Sequence, residues 1–230
     1  MNKKSFARQI AAEFIGTAVF LTAIVGATEN TASPFGSIAA PVALGLMILL
    51  LGDISGGHFN PAVSLFFFAR REISGAQFSG FVGGQLLGSV AGVALGSTIW
   101  NKGASLTFNT GSILATPALV VSEVFATAGL VWLIAKLASS GKGNLIAATV
   151  AAWVFAAGTF TSTHAIANPA VTFGRFFTST GAGIEANVGL ELMIAQFGGT
   201  LLALILITLL HGSGKTSRKA KKPRKSSSKK

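Results

Sequence analysis

Apolar residues gather along the chain in six long runs, roughly 10–27, 36–51, 78–99, 116–137, 145–161 and 188–210. A helix needs about 20 apolar residues to cross a bilayer. Four runs meet that length or approach it. The second and fifth are shorter, but their flanks are uncharged and extend them. The pattern predicts six membrane-spanning helices. The first run is too long for the apolar part of a cleaved leader and carries Glu13, which fits a retained helix.

Two shorter runs interrupt this pattern, and both begin with Asn-Pro-Ala-Val, at Asn60 and again at Asn168. Asparagine is a favoured helix N-cap, and proline suits the first helical position, where its missing N–H has no partner anyway. After Asn60 the apolar stretch ends within about ten residues at Arg70-Arg71, a helix of about 15 Å at 1.5 Å per residue. That is half a bilayer core. The second copy runs from Asn168 to about Thr178. Half-helices are therefore expected over 60–70 and 168–178, each with its N-terminus deep in the membrane.

The chain repeats itself elsewhere. Glu13-x-x-x-Thr17 matches Glu123-x-x-x-Thr127, and Gln85 matches Gln196, at nearly the offset of the two Asn residues. The organisation read from this is an N-terminal segment 1–8, a first repeat 9–100, a connecting loop 101–115, a second repeat 116–211 and a basic tail 212–230. Each repeat holds three spans, an odd number, so the two lie inverted in the membrane. The fold class expected is all-α: six spans plus two re-entrant half-helices meeting near the midplane.

Backbone that is not helical at that depth is tolerated only where protein buries it or water lies beside it. The stretches before each cap, with Gly56, Gly57 and His58 in one and His164 and Ala165 in the other, are thus candidates to line a narrow wet path. Glu13 and Glu123 sit at matching positions within spans. Either they accept hydrogen bonds from loop N–H groups and hold the loops in shape, or they line the path as ion or proton sites.

Composition narrows the function. Only 11% of residues are charged and 50% are hydrophobic, against about 25% charged in a soluble domain. There is no cysteine, which excludes disulfides, thiolate metal sites and cysteine catalysis. No nucleophile–base set, metal-ligand spacing or phosphate loop is present; Gly212–Thr216 lacks the glycine spacing of one. No enzyme activity, cofactor or metal is expected. The net charge of +11 is a matter of topology. With the N-terminus in the cytoplasm, 16 of the 18 basic residues fall on the inner side, nine of them in the tail, and only Lys102 and Arg175 outside. The charge therefore argues against nucleic acid as a partner. The tail sets topology and can contact anionic lipid headgroups. The 28 glycines suit close helix packing in lipid.

Paired Asn-Pro-Ala half-helices in a six-span inverted repeat resemble the aquaporin, or major intrinsic protein, family. The likeness covers roughly 5–211 and is most specific at Ile54–Val63. The resemblance implies a passive channel for water and small uncharged solutes in a plasma or bacterial inner membrane, with both termini cytoplasmic and four protomers each carrying a pore. It places Asn60, Pro61, Ala62, Asn168, Pro169 and Ala170 at the central constriction. There each asparagine offers an amide to passing solute and the helix N-termini repel cations.

One departure stands out. Most members place Arg three residues after the second Asn; here the residue is Val171. The other filter positions fall on Ala165, on Ala156 and on either Ala40 or Leu44. An apolar, widened outer filter is expected, and with it passage of larger neutral solutes such as metalloid acids or polyols. The bacterial branch with similar Asn-Pro-Ala-Val-Thr text is associated with metalloids. Glycerol facilitators keep the Arg followed by Asp, a pattern Val171-Thr172 does not match. Arg175, one turn beyond Val171, either reaches back into the filter or sits at the mouth. His164 either supplies a filter donor or packs the loop. An ion channel or secondary transporter is the rival reading.

Overall fold

The computed structural model describes residues 5–30, 32, 33, 35–103 and 106–211; the basic tail 212–230 lies outside them. Among the described residues the chain is all helical. The elements are α1 (Phe6–Glu29), α2 (Gly36–Ser55), α3 (Pro61–Ala69), α4 (Gly75–Ile99), α5 (Pro117–Ser139), α6 (Ile146–Phe160), α7 (Pro169–Gly174) and α8 (Ala186–His211). Six of these, all but α3 and α7, are long and apolar enough to cross a membrane, α6 when taken with the 3₁₀ turn Gly143–Leu145 that leads into it. Large apolar side chains such as Leu49, Leu50, Leu87, Ile194 and Leu209 are exposed on their outer faces, as lipid requires.

The short helices form as their residue types dictate. Asn60 and Asn168 are extended, and each side-chain oxygen caps its own helix, with Pro61 and Pro169 in the first turn. The second half-helix differs from expectation. After Gly174 it tightens into a 3₁₀ turn over Arg175–Phe177 and ends at Thr178. Its last carbonyls are drawn away from helical partners. Asn109 takes those of Arg175, Phe176 and Thr178, and the Ile184 N–H takes that of Arg175 as well.

Packing follows the repeat: α1 lies along α4, α5 along α8, and α2 against α6. The α1–α4 seam is built on glycines 80, 84, 88, 92 and 96, one per turn on one face of α4. A Cβ at Gly88 would lie 2.4 Å from the Phe14 carbonyl oxygen, and one at Gly92 would lie 2.3 Å from that of Ala18. Backbone thus packs on backbone, the small-residue mode by which helices associate in lipid. In the second repeat, Gly199 of α8 meets the Val124 carbonyl of α5 in the same way.

The seam makes a clean prediction. Gly88→Val should destabilise the protein by more than the about 1–3 kcal/mol of ordinary overpacking, because backbone cannot move aside. Gly83→Val, on a face with nothing within 4 Å, should be nearly neutral. Thermal unfolding midpoints of the two variants in detergent decide it.

Candidate functional site

The two re-entrant loops carry unusual backbone. Phe59, His164, Ala165 and Ala167 all have positive φ, between 47° and 54°, beside Gly56 and Gly57. For a residue with a Cβ this costs roughly 1–2 kcal/mol. Two buried carboxylates hold the loops there. Glu13, fully buried, receives the Ser55 hydroxyl (2.5 Å), the N–H groups of His58 (3.0 Å) and Phe59 (2.6 Å), and the Gln85 amide (2.7 Å). Glu123 receives the N–H groups of Ile166 (3.1 Å) and Ala167 (2.8 Å) and the Gln196 amide. Of the two sequence readings, the geometry matches the loop-holding one.

A second tie closes each of these clusters. Gln85 donates to Ser64 Oγ at 3.0 Å, and Gln196 to Thr172 Oγ1 at 2.9 Å. Each carboxylate is thereby linked through a glutamine to the half-helix its loop precedes. These hydroxyls were not singled out from the sequence, although a signal existed: each lies four residues after its Asn.

The loops then lock to each other. Asn60 Nδ2 donates to the Ala167 carbonyl and Asn168 Nδ2 to the Phe59 carbonyl, both at 2.8 Å. Each Oδ1 accepts from its own helix, Ala62 N at 2.9 Å and Ala170 N at 3.0 Å. An amide NH₂ has two hydrogens. One is spent on the crossed bond, which leaves a single donor per asparagine for a passing molecule.

Two cavities adjoin this crossing. The smaller, about 60 Å³, is lined by Asn60 and Asn168 together with Gly56, Gly57, His58, Leu44 and apolar residues including Ile48, Val63 and Phe67. The His58 ring is buried, bonded through Nδ1 to Ser64 Oγ at 3.0 Å and stacked on Phe67. The larger cavity, about 290 Å³, is lined by Ala40, Ala165, Val171, His164 and Arg175, with Phe20 and Ile24 of α1.

The expected filter positions fall differently with respect to these cavities. Ala156 does not line the larger cavity: it lies on an exposed face of α6, and that helix turns Val154, Phe155, Gly158 and Thr159 to the cavity instead. Of the two α2 alternatives, Ala40 lines the larger cavity with Val171, beside Gly36, Ser37 and Pro41, and Leu44 lines the smaller one. Phe20 and Ile24 were missed because nothing in an apolar span marks which face meets a cavity.

Two polar side chains of the larger cavity, which Thr28, Ser37, Thr159 and Thr163 also line, are oriented by backbone. Arg175 Nε donates to the Ala182 carbonyl at 2.5 Å. His164 Nδ1 lies 3.0 Å from the Gly158 carbonyl, which only accepts, so Nδ1 carries the proton.

The chain matches the family model described as Major intrinsic protein over residues 1–163. Aquaglyceroporin AqpS of Rhizobium meliloti (strain 1021) is 31% identical over 227 residues, 91% of this chain and 93% of that protein. Aquaporin TIP1-1 of Arabidopsis thaliana is 35% identical over 197 residues, 71% of this chain and 72% of that protein. The X-ray structure of the aquaglyceroporin from Plasmodium falciparum shares the fold, with a TM-score of 0.74 at 18% identity over 90% of this chain and 97% of that one.

The carboxylate clusters predict a stability effect. Glu13→Gln or Glu123→Gln turns an amide NH₂ toward N–H donors, and each lost bond to a charged acceptor is worth about 1.5–3 kcal/mol. Either variant should lower the unfolding midpoint in detergent by about 5 °C or more and reduce water permeability in liposomes. An unchanged midpoint would mean the loops keep their shape without the carboxylate.

Proposed function

This chain belongs to the major intrinsic protein family, and from that premise we propose that it conducts water and small uncharged solutes through the crossing of Asn60 and Asn168. It is a multi-pass membrane protein, and members of this family are passive channels rather than enzymes. The observation that carries the reading is the pair of half-helix N-termini tied tip to tip by reciprocal asparagine–carbonyl bonds. The positive ends of both helices meet there. A solute oxygen is welcome at that point and a cation is opposed. Pro61, Ala62, Pro169 and Ala170 shape the crossing, and Gly56, Gly57 and His58 continue the path on one side.

On the other side the outer filter comprises Ala40, Ala165 and Val171, with His164 and Arg175 in its vestibule. Three small or apolar residues around about 290 Å³ favour solutes larger than water, whose share of the liquid is about 30 Å³. This supports the second reading, a facilitator for polyols or metalloid acids. The distribution of basic residues orients both termini toward the cytoplasm of a plasma or bacterial inner membrane. Four protomers assemble with one pore each, as the family resemblance implies, and the basic tail meets anionic lipid.

Stopped-flow shrinkage of liposomes holding the full chain tests the filter. Val171→Arg should lower glycerol permeability about tenfold, a barrier rise of about 1.4 kcal/mol, and lower water permeability less. Equal losses of both would show that Val171 does not set size selection. A current, or flux coupled to an ion gradient, would remove the channel reading.

A further inference from the structure

The last residue of α1 is an acid, Glu29, placed where the carbonyl end of the helix already concentrates negative charge. A carboxylate is unfavourable there unless other groups engage it. Both of its oxygens are engaged. Oε2 lies 3.1 Å from Lys102 Nζ, and Oε1 accepts the Gly181 N–H at 3.0 Å across 152 positions of sequence. Glu29 is the inner partner of the ion pair, with its side chain 12% exposed against 54% for Lys102. A pair so open to water contributes little. The bond to Gly181 is charge-assisted, and it ties α1 to the loop 178–185.

That loop borders the larger cavity. Gly181 packs beside Thr28, which lines the cavity; a Cβ added at Gly181 would lie 3.6 Å from Thr28 Cβ. The next residue, Ala182, is fully buried, and its carbonyl accepts Arg175 Nε at 2.5 Å. The anchored N–H and the accepting carbonyl belong to consecutive residues, so movement at one displaces the other. Arg175 shares the cavity with the hydroxyls of Thr28, Ser37, Thr159 and Thr163 and with His164, and the charge of Glu123 acts on it as well. The guanidinium therefore has other partners to turn to, and the Ala182 carbonyl decides which way its fork points. Resting on the channel reading above, we propose that Glu29 is a positioning residue for the mouth of the pore. It holds Gly181, Gly181 sets the Ala182 carbonyl, and that carbonyl keeps the guanidinium at one side of the cavity. Once released, the guanidinium swings toward the hydroxyls and narrows the passage for solutes larger than water. Size selection thus depends on a carboxylate that touches no solute.

The test uses the full chain in liposomes and reads the ratio of glycerol to water permeability by stopped flow. Glu29→Ala should lower that ratio about fivefold, the scale of one lost hydrogen bond. Glu29→Gln keeps an oxygen for the Gly181 N–H but no charge for Lys102, and it should retain most of the ratio. Lys102→Ala removes only the exposed pair and should leave the ratio unchanged. Action through Arg175 is read from a double-mutant cycle: in an Arg175→Ala background, Glu29→Ala should have no further effect on the ratio. A merely structural role would lower both permeabilities together and would persist in that background. An unchanged ratio in Glu29→Ala, or an effect that survives Arg175→Ala, overturns the proposal while the channel reading stands. If wild-type liposomes pass neither water nor glycerol, the channel reading falls and takes the proposal with it. Should Glu29→Ala not elute from detergent as the wild type does, Glu29→Leu, similar in size but without an acceptor, takes its place with the same expected fall. If neither variant folds, Glu29 is structural and the proposal is overturned.

Discussion

The structure depends on satisfying backbone N–H groups where no water reaches them. Two loops enter the bundle without helical hydrogen bonds, and a bilayer offers them no alternative partner. Glu13 and Glu123 supply that partner. Each is a carboxylate on a long helix that collects two consecutive loop N–H groups and a glutamine from the other long helix of its repeat. The hydrogen bonds hold Phe59 and Ala167 at φ values that residues with a Cβ avoid, and Thr161 Oγ1 takes the N–H of Ala165. The twisted loops bring Asn60 and Asn168 together, and the helix ends and cavities follow from that placement.

Much of this was legible from residue types. Length and apolarity mark the six spans, and Asn-Pro marks the half-helix starts, because caps and first-turn prolines act locally. The repeat makes Glu13 and Glu123 equivalent, and a charge in lipid demands a partner, so a bond to the loops was a natural expectation. What was not legible depends on three-dimensional register. Ala156 was placed by counting along the chain and Leu44 as an alternative to Ala40, and neither choice says which face of its helix meets the larger cavity. The 3₁₀ turn at Arg175–Phe177 comes from Asn109, which is distant in sequence. Nothing local distinguishes Ala167 as a residue with positive φ; only the carboxylate waiting across the bundle does.

On the proposed channel reading, the crossing and the vestibule divide selection between them. At the crossing each asparagine has one donor left, so a solute must offer an acceptor and meets two positive helix ends while doing so. In the vestibule small side chains remove the usual steric test. Chemical type is thus screened at the crossing and size is screened weakly at the mouth.

The glycine ladder on α4 bears on how such a protein works. Where a side-chain layer separates two helices, they can shift by exchanging rotamers. Between α1 and α4 there is no such layer, since Phe14 and Ala18 rest directly on Gly88 and Gly92. The seam therefore stiffens the first repeat in itself, and rocking that repeat against the other would break the crossed asparagine bonds. Transit in this architecture needs no cycle of large motions, so its rate is set by diffusion along a standing passage, and cooling should slow it only about as much as it slows the liquid itself.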